Sequence, residues 1–373
     1  MTDKNVILNE PYRLFFPLGI LLLLWGALLW VPMIWNPENY PVVLHRYLMI
    51  NGFAGCFISG FLMTAIPKFS RTMTATKTEI LAFMFVTAGG LAFAYRGQEN
   101  LVFFFSSLQP LTIFIFMLSR ILRRQENPPY TFIFIFVGLL LWFLSALGSI
   151  FFDAEVFKQL HYEGAIASII LGVGSRLIPG ILGHVDIVKA QRKIYEPPNP
   201  LLKTVPLHFF LMIAGFVASY LVPHPWGQSI RALIVSIVAF SYWRIGKLPK
   251  ERTALTWSLW VSGWMIVLSF ILQALFEDGL IHLGHSFFIT GIVLLSLLVA
   301  TRVLQSHGPR DKTLEDLKTL HFVTGFILLA AVVRVSAYFM PESYSSHLAY
   351  SSLLLVAGVS VWSYRYLRYV TFR

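Results

Sequence analysis

HSFFITGIVLLSLLVATRVLQSHGPR occupies residues 285–310. From Gly279 through Thr301 the chain carries no Lys, Arg, Asp or Glu. A helix of that length crosses a hydrocarbon core about 30 Å thick. Comparable runs recur along the whole chain, and twelve spans can be drawn: 14–35, 45–67, 79–96, 101–122, 131–151, 161–182, 206–222, 229–245, 255–276, 281–304, 318–338 and 347–368. The composition agrees, with 57% hydrophobic and 13% charged residues, where a soluble domain carries about 25% charged. No stretch is polar enough for a separate soluble unit. The sequence therefore predicts an all-α polytopic membrane bundle of about twelve helices, with residues 1–373 forming a single transmembrane domain.

The net charge of +11 is a topology signal and not a nucleic-acid footprint. All but Arg46, Arg96, Lys158, Arg231 and Arg334 of the 29 Lys and Arg fall at the N-terminus, in the loops after even-numbered spans, or at the C-terminus. By the positive-inside rule that side is cytoplasmic, so both termini are expected in the cytoplasm. One cysteine, Cys56, excludes an intrachain disulfide, a CxxCH haem attachment and a four-Cys iron–sulfur cluster.

Ionisable residues inside a membrane usually face the bundle interior or a water-filled cavity. Even-numbered spans all run from outside to inside, so their first turns share one level. His45 opens span 2, His161 span 6, and His282 with His285 span 10. His347 and His224 lie at the same level; His184, His208, His307 and His321 lie at the opposite one. Neutral imidazole suits iron and copper, so His45, His285, His161 and His282 are expected metal ligands. His282 and His285, at i and i+3, share a helix face: both serve one site, or one ligates while the other supports it. Headgroup-level histidines with no ligand are the competing reading. The small residues Gly164, Ser168, Gly172 and Ser175, and Gly52, Gly55, Ser59 and Gly60, leave room for a flat cofactor or, as readily, for close helix packing.

Arg46 and Arg334 lie at the histidine level and are expected to hold anionic groups of a cofactor by charge-assisted hydrogen bonds. Arg176 and Arg302 are candidates for the same task near the cytoplasmic end, where snorkelling is the alternative. Tyr47 follows as a candidate catalytic donor or proton carrier. Glu163, Glu277 and Asp278 sit at outer helix ends as proton carriers or as a solvated rim.

These segments resemble the NnrS family of bacterial membrane proteins. HSFFITGIVLLSLLVATRVLQSHGPR is similar to that family's His-led helix, with His285, Arg302 and His307 in matching places. HRYLMINGFAGCFISGFLMTAIPKFS (45–70) resembles its span-2 signature through His45, Met49, Gly52 and Pro67. SRLIPG around Arg176 and AAVVRVSAY around Arg334 resemble two further stretches. Three positions depart: Tyr47 and Leu48 replace a His and a Glu, and Trp260 stands where a His is expected. The resemblance implies a haem- and copper-containing protein of the bacterial inner membrane, tied to nitric oxide metabolism or nitrosative stress. A looser architectural likeness joins spans 2, 6 and 10 to subunit I of haem–copper oxidases and nitric oxide reductases.

The expected function is therefore a haem b protein, with copper as a second metal left open, that binds or turns over a small diatomic gas such as nitric oxide as an oxidoreductase. His45 and His285 would be axial ligands, and a quinol or other electron donor would reduce the centre. A transporter moving a metal ion or small solute is the alternative.

Overall fold

Backbone amides in hydrocarbon must find partners within their own segment, so long apolar runs become helices. The computed structural model describes residues 6–36, 40–152, 154–193, 205–307 and 318–371, with no strand among them. The basic residues Arg310 and Lys312, and the side chains of Arg192, Lys193 and His307, lie outside what is described. The principal helices are α1 (Tyr12–Ile34), α2 (Val42–Ser70), α3 (Lys77–Tyr95), α4 (Glu99–Leu122), α5 (Tyr130–Phe151), α6 (Glu155–Ile181), α7 (Leu207–Leu221), α8 (Trp226–Val238, continued by Ala239–Trp243), α9 (Ala254–Leu275), α10 (Leu280–Ser306), α11 (Lys318–Ser336) and α12 (Pro341–Val370).

Each of the twelve expected spans is a helix. Ten are long and apolar enough to cross a membrane; α7 and α8 fall short as individual spans. At 1.5 Å per residue α7 rises only about 22 Å, and α8 carries the buried polar residues Gln228 and Arg231. The two form a shorter hairpin.

Every helix packs on its sequence neighbour, and α12 closes the ring against α1. Three helices are drawn into the middle. The apolar windows of α2 and α10 are each 78% buried and that of α6 is 67%, against 33–56% for the other seven. The outer helices present large apolar side chains such as Leu21, Phe85, Leu211 and Phe322, as a lipid-facing surface requires. The innermost three carry His45, His161, and His282 with His285. Each also carries a π-helical stretch at the histidine end of the bundle: Leu48–Ala54 in α2, Leu160–Gly164 in α6 and Phe287–Leu294 in α10. Such wide turns inside α-helices recur at functional sites.

The small-residue stripes are packing seams. Ser168 donates to the Phe134 carbonyl of α5 at 2.8 Å, and a Cβ on Gly172 would lie 2.8 Å from Ile135. On α2, Gly52 faces Leu22, Gly55 faces Gln109 and Gly60 faces Tyr12. Neighbouring helices fill the space that a macrocycle would need along these stripes.

Candidate haem and metal site

Helix starts set the depth of each histidine. α6 begins at Glu155, six residues before His161, and not at His161 as the sequence suggests. That puts His161 about 9 Å down its helix at 1.5 Å per residue. His45 and His285 lie nearer their helix starts and stay half-buried, whereas His161 is fully buried.

His285 donates from Nδ1 to the Ile281 carbonyl of its own helix at 2.6 Å. A carbonyl can only accept, so the neutral ring carries its proton on Nδ1 and keeps a lone pair on Nε2. His282 is the reverse. Arg334 donates from Nη1 to His282 Nδ1 at 2.9 Å, which places the neutral ring's proton on Nε2. The i and i+3 pair thus divides: His285 offers a lone pair, while His282 is held by Arg334. His347 Nδ1 donates to the Ser343 carbonyl at 2.9 Å, as His285 does on its own helix.

His45 stands between two partners on one atom. Trp30 Nε1 points at His45 Nδ1 from 2.8 Å, and the Gly26 carbonyl lies 2.9 Å from the same nitrogen. One nitrogen cannot accept from the indole and donate to the carbonyl at once. With the proton on Nδ1, the ring donates to Gly26 and frees Nε2; with Nδ1 accepting from Trp30, Nε2 carries the proton. His285 lies within electrostatic reach of His45, His282 and Arg334. Around them Tyr40 and Tyr344 pair through their hydroxyls at 3.1 Å, and the Tyr344 ring stands 5.9 Å from His282. Burial pushes the Tyr40 phenol up to about 12, and the Tyr344 hydrogen bond acts in the same direction. Tyr40 therefore stays a neutral phenol at pH 7.

His161 and Tyr47 belong to a different place. His161 is surrounded by Phe103 at 5.6 Å, Trp142 at 6.3 Å and Tyr162 at 4.9 Å. Neither ring nitrogen has a partner in hydrogen-bond geometry within the protein; the Trp142 backbone acts on the ring only from outside that geometry. His161 lines a cavity of about 10 Å³ together with Arg46, Tyr47, Asn51, Glu99 and Ser106. Tyr47 is buried and donates to the Thr87 carbonyl of α3 at 2.7 Å. Arg46 is exposed and lies over the Tyr162 ring at 5.3 Å, so it leans toward α6, while Arg334 is buried among the histidines of α10.

Arg176 and Arg302 do not join this level. Arg176 donates to the Val188 carbonyl at 3.1 Å, and Arg302 is exposed. They lie 15 and 17 residues beyond His161 and His285, or about 22 and 25 Å of helix rise. Of the departing positions, Leu48 is fully buried, and Trp260 donates to the Ile245 carbonyl at 2.7 Å.

Two buried polar networks were not foreseen. In the first, Ser106 donates to Asn51 Oδ1 at 3.1 Å and Asn51 Nδ2 to Gln109 Oε1 at 2.9 Å. Gln109 Nε2 in turn reaches the Asn51 carbonyl at 2.8 Å and Thr87 Oγ1 at 2.9 Å. In the second, Tyr220 donates to Glu163 Oε1 at 2.9 Å. Arg231 stacks over Tyr220 at 4.0 Å and acts electrostatically on Glu163. Glu163 is thus part of a protein-internal cluster joining α6, α7 and α8 and not a solvated rim. Asn51, Gln109 and Arg231 within apolar spans were the available signal.

Haem and copper meet different tests here. His45 and His285 can each expose an Nε2 lone pair while Nδ1 is held by a backbone carbonyl, the support that metal-bound imidazoles use. That donor set fits a haem. Among the described residues no group of three or more His, Cys, Asp or Glu could hold a metal ion, so no ready-made copper cage accompanies it.

The chain matches no curated protein. A family model described as NnrS protein matches residues 6–372. With the match spanning nearly its whole length, the chain belongs to the NnrS family.

Proposed function

We propose that this protein is a haem b protein of the bacterial inner membrane that binds or turns over nitric oxide or a related diatomic gas. One observation carries the reading: two of the three innermost helices bring His45 and His285 to one end of the bundle, each with a carbonyl positioned to fix the metal-binding tautomer. Family membership supports the nitric oxide connection. The charge distribution supports a periplasmic location for this end.

Bound there, a haem would supply an iron able to take a diatomic ligand. The chain's own residues account for the rest. His285 is the firm ligand, since its Nδ1 has a single acceptor. His45 is the yielding one, because Trp30 competes with Gly26 for its Nδ1, and the Trp30-bonded tautomer cannot offer Nε2. Arg334 supplies buried positive charge for propionates, and His282 orients it. Copper, where present, would need ligands from outside this pair.

The test is an optical spectrum of the purified protein. Reduced-minus-oxidised bands of a b-type haem are expected in the wild type, lost in His45→Ala and His285→Ala and kept in His208→Ala at the opposite end. A colourless preparation from haem-replete cells, or haem retained in both ligand variants, overturns the reading.

A further inference from the structure

A larger space lies deeper in the bundle, between the three innermost helices. Phe61 of α2, Ile170 and Val173 of α6, and Ser296 and Val299 of α10, together with Phe16 of α1, wall a cleft of about 80 Å³. Phe16 is fully buried, and the other five are half-buried, so the cleft is open on one side. Phe61 lies 16 residues beyond His45, Val173 12 beyond His161 and Val299 14 beyond His285, or about 18–24 Å of helix rise. α10 continues from Val299 to Ser306, so the cleft sits at hydrocarbon depth and not at the far helix ends.

The wall restricts what can bind. Among the described residues, Ser296 is its only polar side chain. A water needs about two to four polar partners to stay in a cavity. A charged or strongly hydrogen-bonded ligand would give up its hydration for one hydroxyl. Size narrows the choice further: an apolar cavity of about 150 Å³ takes benzene or xenon, and this cleft has roughly half that volume. It admits no macrocycle. An acyl chain is poorly matched too, because the wall covers only residues 57–62 of α2 and 295–299 of α10, about 6–8 Å of rise. What fits is an uncharged molecule of a few atoms, held by dispersion contacts with Phe, Ile and Val. Such a molecule prefers hydrocarbon to water and so reaches the protein at the depth where the cleft lies.

We propose that this cleft is a docking site for a small uncharged gas, taken up from the bilayer and held between α2, α6 and α10. The identity of the gas rests on the function proposed above, which makes it nitric oxide or a related diatomic; the site itself does not. Binding there involves no covalent, proton or redox step. The same three helices carry the histidines, so the docked gas is stored inside the bundle that holds the proposed haem.

The experiment titrates xenon into the full-length protein in lipid nanodiscs and follows ¹²⁹Xe magnetic resonance against empty nanodiscs. A saturable shift is expected in the wild type and in Leu211→Phe on the lipid-facing surface. It should be lost in Val173→Phe and in Ser296→Leu, which fill the cleft from different helices; thermal midpoints show which variants fold. Carbon monoxide, a diamagnetic diatomic, should displace the xenon competitively. No saturable shift in the wild type, or one that survives both fillings, overturns the site. Xenon that binds only after delipidation gives the cleft to a lipid chain and overturns it equally, and failure of carbon monoxide to compete overturns the diatomic occupant. The titration needs no haem: a colourless protein that binds xenon overturns the function proposed above and supports the docking site.

Discussion

On the proposed haem reading, a single hydrogen bond sets the strength of His45 as a ligand. Trp30→Phe removes the indole donor and leaves Gly26 as the only partner of Nδ1, so the ring is fixed in its ligating tautomer. The expected result is a larger low-spin fraction in the ferric optical spectrum and weaker nitric oxide binding, read by titration. Weaker haem retention in Trp30→Phe would show that the indole supports the ligand and does not compete for it. Close packing makes a second residue-scale prediction. A Cβ on Gly90 would sit 2.4 Å from the Tyr47 hydroxyl, inside any van der Waals contact. Gly90→Ala should cost about 1–3 kcal/mol of stability, the range for overpacking, seen as a lower thermal midpoint in detergent.

At the scale of elements, α7 and α8 are tied to α6 by a buried polar cluster as well as by apolar contact. Arg231 is 3% exposed, donates to the Ser219 carbonyl at 3.2 Å and acts on Glu163 across the α6 boundary. Leaving a buried hydrogen-bonding group without its partner costs about 1–3 kcal/mol. Arg231→Met alone should therefore destabilise the bundle strongly, and Glu163→Gln in the same background should recover part of the loss. Additive losses in the double variant would mean that the two side chains are not coupled. Helix register is an element-scale matter too. The six-residue extension of α6 beyond its expected start takes His161 out of the headgroup level, because Glu155 and Lys158 are tolerated in a first turn that a hydropathy window excludes.

Across the whole molecule, the ring of helices closed by α12 on α1 puts α2, α6 and α10 inside. By the positive-inside rule the charge pattern leads us to expect that bundle with its histidine end outside. Trp35, 77% exposed beyond α1, and Leu122, 73% exposed at the end of α4, lie at opposite ends. In a background with Cys56 replaced, Trp35→Cys should react with a membrane-impermeant maleimide from the periplasmic side. Leu122→Cys should react only after the membrane is opened. The reverse pattern would invert the orientation and move the proposed haem to the cytoplasmic side.

Hydropathy and charge are sums over local sequence, so the number, order and approximate limits of the helices, the basic asymmetry and the level of His45 and His285 were all legible in the chain. Which imidazole shares a space with which was not. In the sequence His45 and His161 stand at similar heights on central helices, yet packing sends His45 to Trp30 and Gly26 and His161 deeper, to an enclosed cavity beside Tyr47. Helix rotation and neighbour packing fix those directions, and both arise from contacts between residues far apart in sequence: Trp30 on His45, Arg334 on His282, Asn51 on Gln109. A linear pattern gives depth along a helix, but azimuth is set only when the helices pack.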